Sequence, residues 1–143
     1  MIDISKKAEI FREATASGII KLRPETIHLI ESGKIAKGEP LYTAKIAGVL
    51  AAKKTSELIP LCHPLPLTNI DLDVKVTDNS TVTATATVKT KAQTGVEMEA
   101  LTAVSMALLT VWDMTKQYEK DNAGQYPSTS IESIHVVKKF KQA

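Results

Sequence analysis

The chain has 143 residues, 43% apolar and 24% charged, a balance that excludes a disordered polymer and suits one packed domain over residues 1–143. Its net charge of +2 comes from interspersed Lys and Glu, which excludes a nucleic-acid-coating chain, and an aromatic share of 4% leaves few side chains on which ligands could stack. The single cysteine, Cys62, excludes an intramolecular disulfide, and no signal-like or membrane-spanning apolar run occurs, so the expected setting is cytoplasmic, away from membranes.

Residues 18–23 (GIIKLR) read as a short strand stopped by Pro24, which opens a helix over 24–32 capped by Gly33. Over 40–58, Leu41, Ala44, Ile46, Ala47 and Leu50 recur at helical spacing, and Gly48 lies on an Ala-rich face that invites close backbone approach. Pro60, Pro64 and Pro66 then impose a rigid loop. Strands are expected at 69–77 and 81–91, a hairpin in which Ile70, Leu72, Val74 and Val76 face inward. The helix expected over 97–120 is apolar around its circumference (Leu101, Val104, Met106, Leu108, Leu109, Val111, Trp112), so a sheet on one side must be matched by a subunit interface or a second helix on the other. A last strand over 130–140 sets Ile131, Ser133, His135 and Val137 against Glu132, Ile134, Val136 and Lys138. Setting one helix aside, this order gives an α+β fold with a ferredoxin-like antiparallel sheet and helices packed on one face.

Three places could carry chemistry. The loop around Cys62 and His63 holds a thiol and an imidazole between prolines; a small buried cysteine and a structural histidine explain it as well. Glu97 and Glu99 point the same way if their segment is extended, making a carboxylate pair, but diverge by about 200° if it is helical, where acids simply complement the helix dipole. Asp113 and Lys116 share a helix face, either as an ordinary ion pair or as an acid/base pair in a partly buried cleft. Lys37 and Lys53 add positive charge suited to phosphate, with a solvated surface lysine an equal reading of each. Neither a zinc-ligand spacing nor a Walker, GxGxxG, HExxH, GxSxG or CxxC motif occurs.

The runs KIAGVLAAKKTSELIPLCHPLPLT and KAQTGVEMEALTAVSMALLTVWDMTK, with the opening MIDISKKAEIFREATASG, closely resemble the signature segments of the cyclic pyranopterin monophosphate synthase family, accessory protein C of molybdenum-cofactor biosynthesis. The resemblance implies a ferredoxin-like subunit in a homohexamer, a trimer of dimers with sites between subunits. It implies conversion of 3′,8-cyclo-7,8-dihydroguanosine 5′-triphosphate, a small-molecule nucleotide supplied by a radical enzyme, into cyclic pyranopterin monophosphate with release of pyrophosphate. Carried over by position, Asp113 matches the catalytic aspartate, with Lys116 and Lys37 as functional lysines. Leu61, Cys62, His63, Met98 and Glu99 match substrate-binding positions, and Lys53, Arg12 and Glu97 match further charged positions nearby. No resident metal or cofactor is implied, magnesium entering only with the triphosphate. Many family members carry a tail containing GGKSG where this sequence reads HVVKKFKQA, leaving Lys138 or Lys139 to supply a phosphate contact.

Two other readings compete. RNA binding by such a sheet requires exposed aromatics, and the expected strands offer Thr, Asp and Val instead. A non-catalytic nucleotide- or pterin-binding module of the same fold differs from an enzyme at Asp113, whose replacement abolishes turnover only in the enzyme.

Overall fold

The first strand starts earlier than its β-branched run suggests. In a computed structural model describing residues 1–143, β1 is Ile10–Lys21, running through the Ala- and Ser-rich stretch that was not expected to be extended. Its even positions Ala14, Ala16, Gly18 and Ile20 are buried beneath the helices, while Phe11, Thr15, Ser17 and Ile19 lie on the opposite face. Small inward residues are needed because the longest helix lies directly on this strand: a Cβ added at Gly18 would come within 3.0 Å of Val104 and 3.1 Å of Leu108.

After β1 come α1 (Pro24–Glu31), α2 (Pro40–Lys53) and a single turn α3 (Thr55–Leu58). The helix expected over 40–58 is thus interrupted at Lys54, where Thr55 Oγ1 donates to the carbonyls of Ala51 and Ala52. Gly33, at φ +68°, takes the left-handed conformation that ends α1. The hairpin of β2 (Leu67–Asp78) and β3 (Thr81–Ala92) buries Leu72 and Val74 from one strand and Val82, Ala84, Ala86 and Val88 from the other. It is followed by α4 (Glu97–Glu119) and β4 (Ser130–Gln142). The sheet order is β2-β3-β1-β4 with every neighbouring pair antiparallel, the split β-α-β order expected of a ferredoxin-like α+β domain.

The helices form one layer. Between that layer and the sheet lies the core, centred on Ala100, Ala103, Val104, Ala107, Leu108 and Val111 of α4. Of the two ways of covering α4's second side, the neighbouring helix α2 is present, yet Met98 and Leu109 stay 41% and 51% exposed. β4 departs from simple alternation. Its pairing with β1 slips twice, Ser133 has φ +58°, and Ile131, Ile134 and Val136 all turn toward the helices. On the open face of the sheet, Phe11 and Phe140 pair at 6.1 Å; aromatics therefore do stand on the sheet, at the end of β1 and on the edge strand β4.

Buried Glu119 ties the far end of α4 down. Its carboxylate accepts hydrogen bonds from the Arg23 backbone N–H, from Thr26, and from Thr129 at 2.6 Å. Residues 121–125 close a turn on Asp121, whose side chain accepts from the N–H groups of Ala123 and Gln125, and Tyr126 packs edge-on against Trp112. No helix is long and apolar enough to cross a membrane.

Candidate active site

The residues singled out from the sequence gather at two places. The first is near the C-terminal end of α4. Lys37, on the loop between α1 and α2, extends its ammonium to Asp113, 3.1 Å from Oδ2 and 2.9 Å from the backbone carbonyl. Lys116, one turn further along α4, lies 3.4 Å from Oδ1. Hydrogen bonding to Lys37 and then to Lys116 holds the Asp113 carboxyl below the usual carboxylate range, so it is ionised at neutral pH between two cations. The i, i+3 spacing of Asp113 and Lys116 made their contact legible; the third member joins from 76 residues away. The expected partly buried cleft is not formed within one chain, since the Asp113 side chain is 61% exposed.

The second group surrounds the start of α4. Cys62, His63, Leu65, Thr94, Gly95, Glu97, Met98 and Val136 line a cavity of about 370 Å³. Helical geometry begins at Glu97, so Glu97 and Glu99 diverge and the extended carboxylate pair is not realised. Glu97 turns to Lys139, 2.7 Å away. Burial works to raise its pKa, but the Lys139 hydrogen bond, its charge and that of Arg12 prevail, leaving it below the ordinary value. Arg12 is held in place by donating to the carbonyls of Ala92 and Gln93.

Glu99 turns inward and is 4% exposed, with Oε2 lacking any hydrogen-bond partner. Desolvation pushes its pKa up to about 7, the nearby Glu97 charge adding to the rise. Burial also raises the Cys62 thiol, and the charge of Glu99 contributes. His63 Nε2 meets the carbonyl oxygen of Ile2 at 2.7 Å. A wider cleft of about 650 Å³ adjoins it, lined by residues of the opening segment together with His63, Pro66, Lys91 and Gln93.

Leu61 projects from the same loop at 70% exposure, while Lys53 stands apart in a groove with Val49, Leu67 and Ile70. Register distinguishes the two tail lysines: Lys138 is opposite Thr15 on the open face, whereas Lys139 is opposite Ala14 on the helix side and meets Glu97. Sequence reasoning left these two equal because the slips in β4 pairing, which decide their sides, have no signature in HVVKKFKQA. Contact between His63 and the opening segment was also missed, since it joins residues 61 apart and uses a backbone carbonyl. No three His, Cys, Asp or Glu side chains converge as a metal-binding set.

Sixteen residues of α4 separate Glu97 from Asp113, about 24 Å at roughly 1.5 Å per residue. A single small substrate cannot touch both groups within one chain.

Comparison with known proteins gives a consistent result. The model of the MoaC family matches residues 1–141. Among curated relatives, one from Pyrococcus abyssi is 57% identical over 141 residues, covering 99% of this chain and 88% of that protein. Relatives from Methanococcoides burtonii and Sulfolobus acidocaldarius are each 55% identical, covering 99% of this chain and 89% and 98% of theirs. All three are named probable cyclic pyranopterin monophosphate synthase.

Proposed function

The chain belongs to the MoaC family, and on that premise we propose that it is a cyclic pyranopterin monophosphate synthase, converting 3′,8-cyclo-7,8-dihydroguanosine 5′-triphosphate to cyclic pyranopterin monophosphate and pyrophosphate in molybdenum-cofactor biosynthesis. Similarity along nearly the whole chain supports the reaction. The observation that carries the chemistry at this chain's own residues is the Lys37–Asp113–Lys116 cluster.

Opening the purine ring, rebuilding it as a pterin and closing a cyclic phosphate each move protons. Asp113, held ionised, is the base or the stabiliser of a transient cation. Lys37 and Lys116 are the proton donors and carry the charge that develops as pyrophosphate leaves. Because Lys37 also donates to the Asp113 carbonyl, its head is oriented before substrate arrives. At the other site Glu97, Glu99 and the Cys62–His63 loop offer acceptors for the amine and ring N–H groups of the guanine-derived part. Lys139 is the candidate for the tail's phosphate contact. No resident cofactor enters this scheme, and any magnesium arrives with the triphosphate.

The two clusters lie too far apart to share one substrate within a chain, and the Asp113 cluster is open to water. Both features favour an assembly in which one subunit's Asp113 cluster faces another's Cys62–Glu99 cavity, in keeping with a homohexamer. A radical enzyme upstream supplies the substrate, and the reaction belongs in the cytoplasm.

Incubating purified protein with the cyclic dihydro-GTP derivative while following product and pyrophosphate tests the reading. Native protein should form both. Asp113→Ala should lose at least about a thousandfold in kcat while retaining substrate binding and the thermal transition. Binding without turnover by the native protein would leave only the non-catalytic module.

A further inference from the structure

The His63 ring makes its hydrogen bond to a part of the chain far from its own loop. Its Nε2 lies 2.7 Å from the Ile2 carbonyl oxygen. A carbonyl oxygen only accepts, so Nε2 must carry the hydrogen, and the neutral ring then keeps its lone pair on Nδ1. Nδ1 has no hydrogen-bond partner in the chain, whereas His135 Nδ1 lies 2.6 Å from the Ser133 carbonyl oxygen within its own bulge.

Of the opening segment's apolar side chains only Ile4 is partly buried. Met1 and Ile2 are 71% and 80% exposed. What shapes the segment is polar: Asp3 Oδ1 accepts from the Ser5 N–H at 2.9 Å, and the Lys7 N–H donates to the Ile4 carbonyl at 3.0 Å. These turns aim the Ile2 carbonyl at the imidazole from across the 650 Å³ cleft that the segment walls.

We propose that residues 1–5 form a positioning strap: through the Ile2 carbonyl it fixes the ring orientation and Nε2–H tautomer of His63, so that Nδ1 is presented as an acceptor to a substrate N–H or O–H donor. The substrate arm of this inference rests on the reaction proposed above; the strap itself does not. Ile2 acts as a positioning residue by its backbone, so its side chain is immaterial and Ile2→Ala should behave as native.

The test uses the ¹⁵N-labelled full chain at about pH 9. A hydrogen-bonded Nε2–H proton should be visible and protected from exchange. Deleting residues 2–5 should abolish that protection; Asp3→Ala, which frees the turn with a single exposed substitution, should weaken it and serves if the deletion does not fold. In turnover, deletion should lower kcat/KM about tenfold in the native background and less than about twofold in a His63→Ala background, because the strap works through the ring. Protection that survives both variants, or an equal kinetic loss in both backgrounds, would overturn the proposal. The exchange readout needs no catalysis, so a failure of the proposed reaction is told apart from a failure of the strap.

Discussion

Glu99 is the residue whose environment differs most from what its neighbours in sequence suggest. In the unfolded chain it titrates near 4.5 and in the folded protein at about 7, because burial disfavours the carboxylate. Below pH 4.5 the group is neutral in both states and its burial costs nothing in ionisation. Between 4.5 and 7 the folded state holds more protons than the unfolded one, so stability falls as pH rises, by up to about 1.4 kcal/mol per pH unit. Above 7 the loss is complete. Glu99→Gln, neutral at every pH, should remove this component. Urea denaturation should find the variant more stable than native by roughly 3 kcal/mol at about pH 8 and close to native at about pH 4.5. A constant difference across that range would rule out an ionisation-linked effect. The opposite shifts of Glu97 and Asp113 are common to both proteins and cancel in the comparison. Two acids at a helix start were legible in the sequence, and so was their divergence in a helix. That one would meet Lys139 and the other be buried with an unpaired oxygen was not, because Lys139 and the residues that cover Glu99 come from distant elements.

At the level of elements, the contact between α2 and α4 decides how closely the helix layer sits. An added Cβ at Gly48 would lie 2.2 Å from Leu72 Cδ2 and 2.8 Å from the Ala103 carbonyl oxygen. Leu72 can rotate aside, but the carbonyl belongs to the hydrogen-bonded backbone of α4. Gly48→Ala gains about 1 kcal/mol of helix propensity, against roughly 1–3 kcal/mol of overpacking plus displacement of a helix. The clash therefore prevails, and the urea midpoint should fall by the equivalent of about 1–2 kcal/mol; an unchanged or raised midpoint would show that α2 can slide outward at no cost. The Ala-rich face around Gly48 was readable as a close-approach surface. The first part of β1, before Gly18, was not readable as strand, because its inward residues Ala14 and Ala16 are small, suited to clearance under α4 rather than to strand propensity. β4 was readable as a strand but not in its facing, since the slips at Ser133 and near Val137 come from pairing with β1 and not from local sequence.

For the whole molecule, the separation of the two clusters along α4 makes the composition of the active site testable by complementation. His63→Ala impairs the Cys62–Glu99 cavity, leaving residual turnover, and does not touch the Asp113 cluster; Asp113→Ala does the reverse. If each site joins one cluster from each of two subunits, either variant alone has no intact site, since every subunit carries the same lesion. Unfolding the two together in equal amounts and refolding them as mixed oligomers creates sites in which the cavity comes from an Asp113→Ala chain and the aspartate from a His63→Ala chain. Random assortment restores both native clusters in about a quarter of the sites, and turnover should recover to about that fraction of native. Mixing without unfolding should give nothing until subunits exchange, which shows that recovery tracks assembly. If a site were complete within one chain, no mixture could contain an intact one, and activity would stay at the level of the separate variants. The linear sequence places Asp113 and Glu99 on one helix and invites their assignment to one site; the length of that helix favours the shared-site reading that complementation tests.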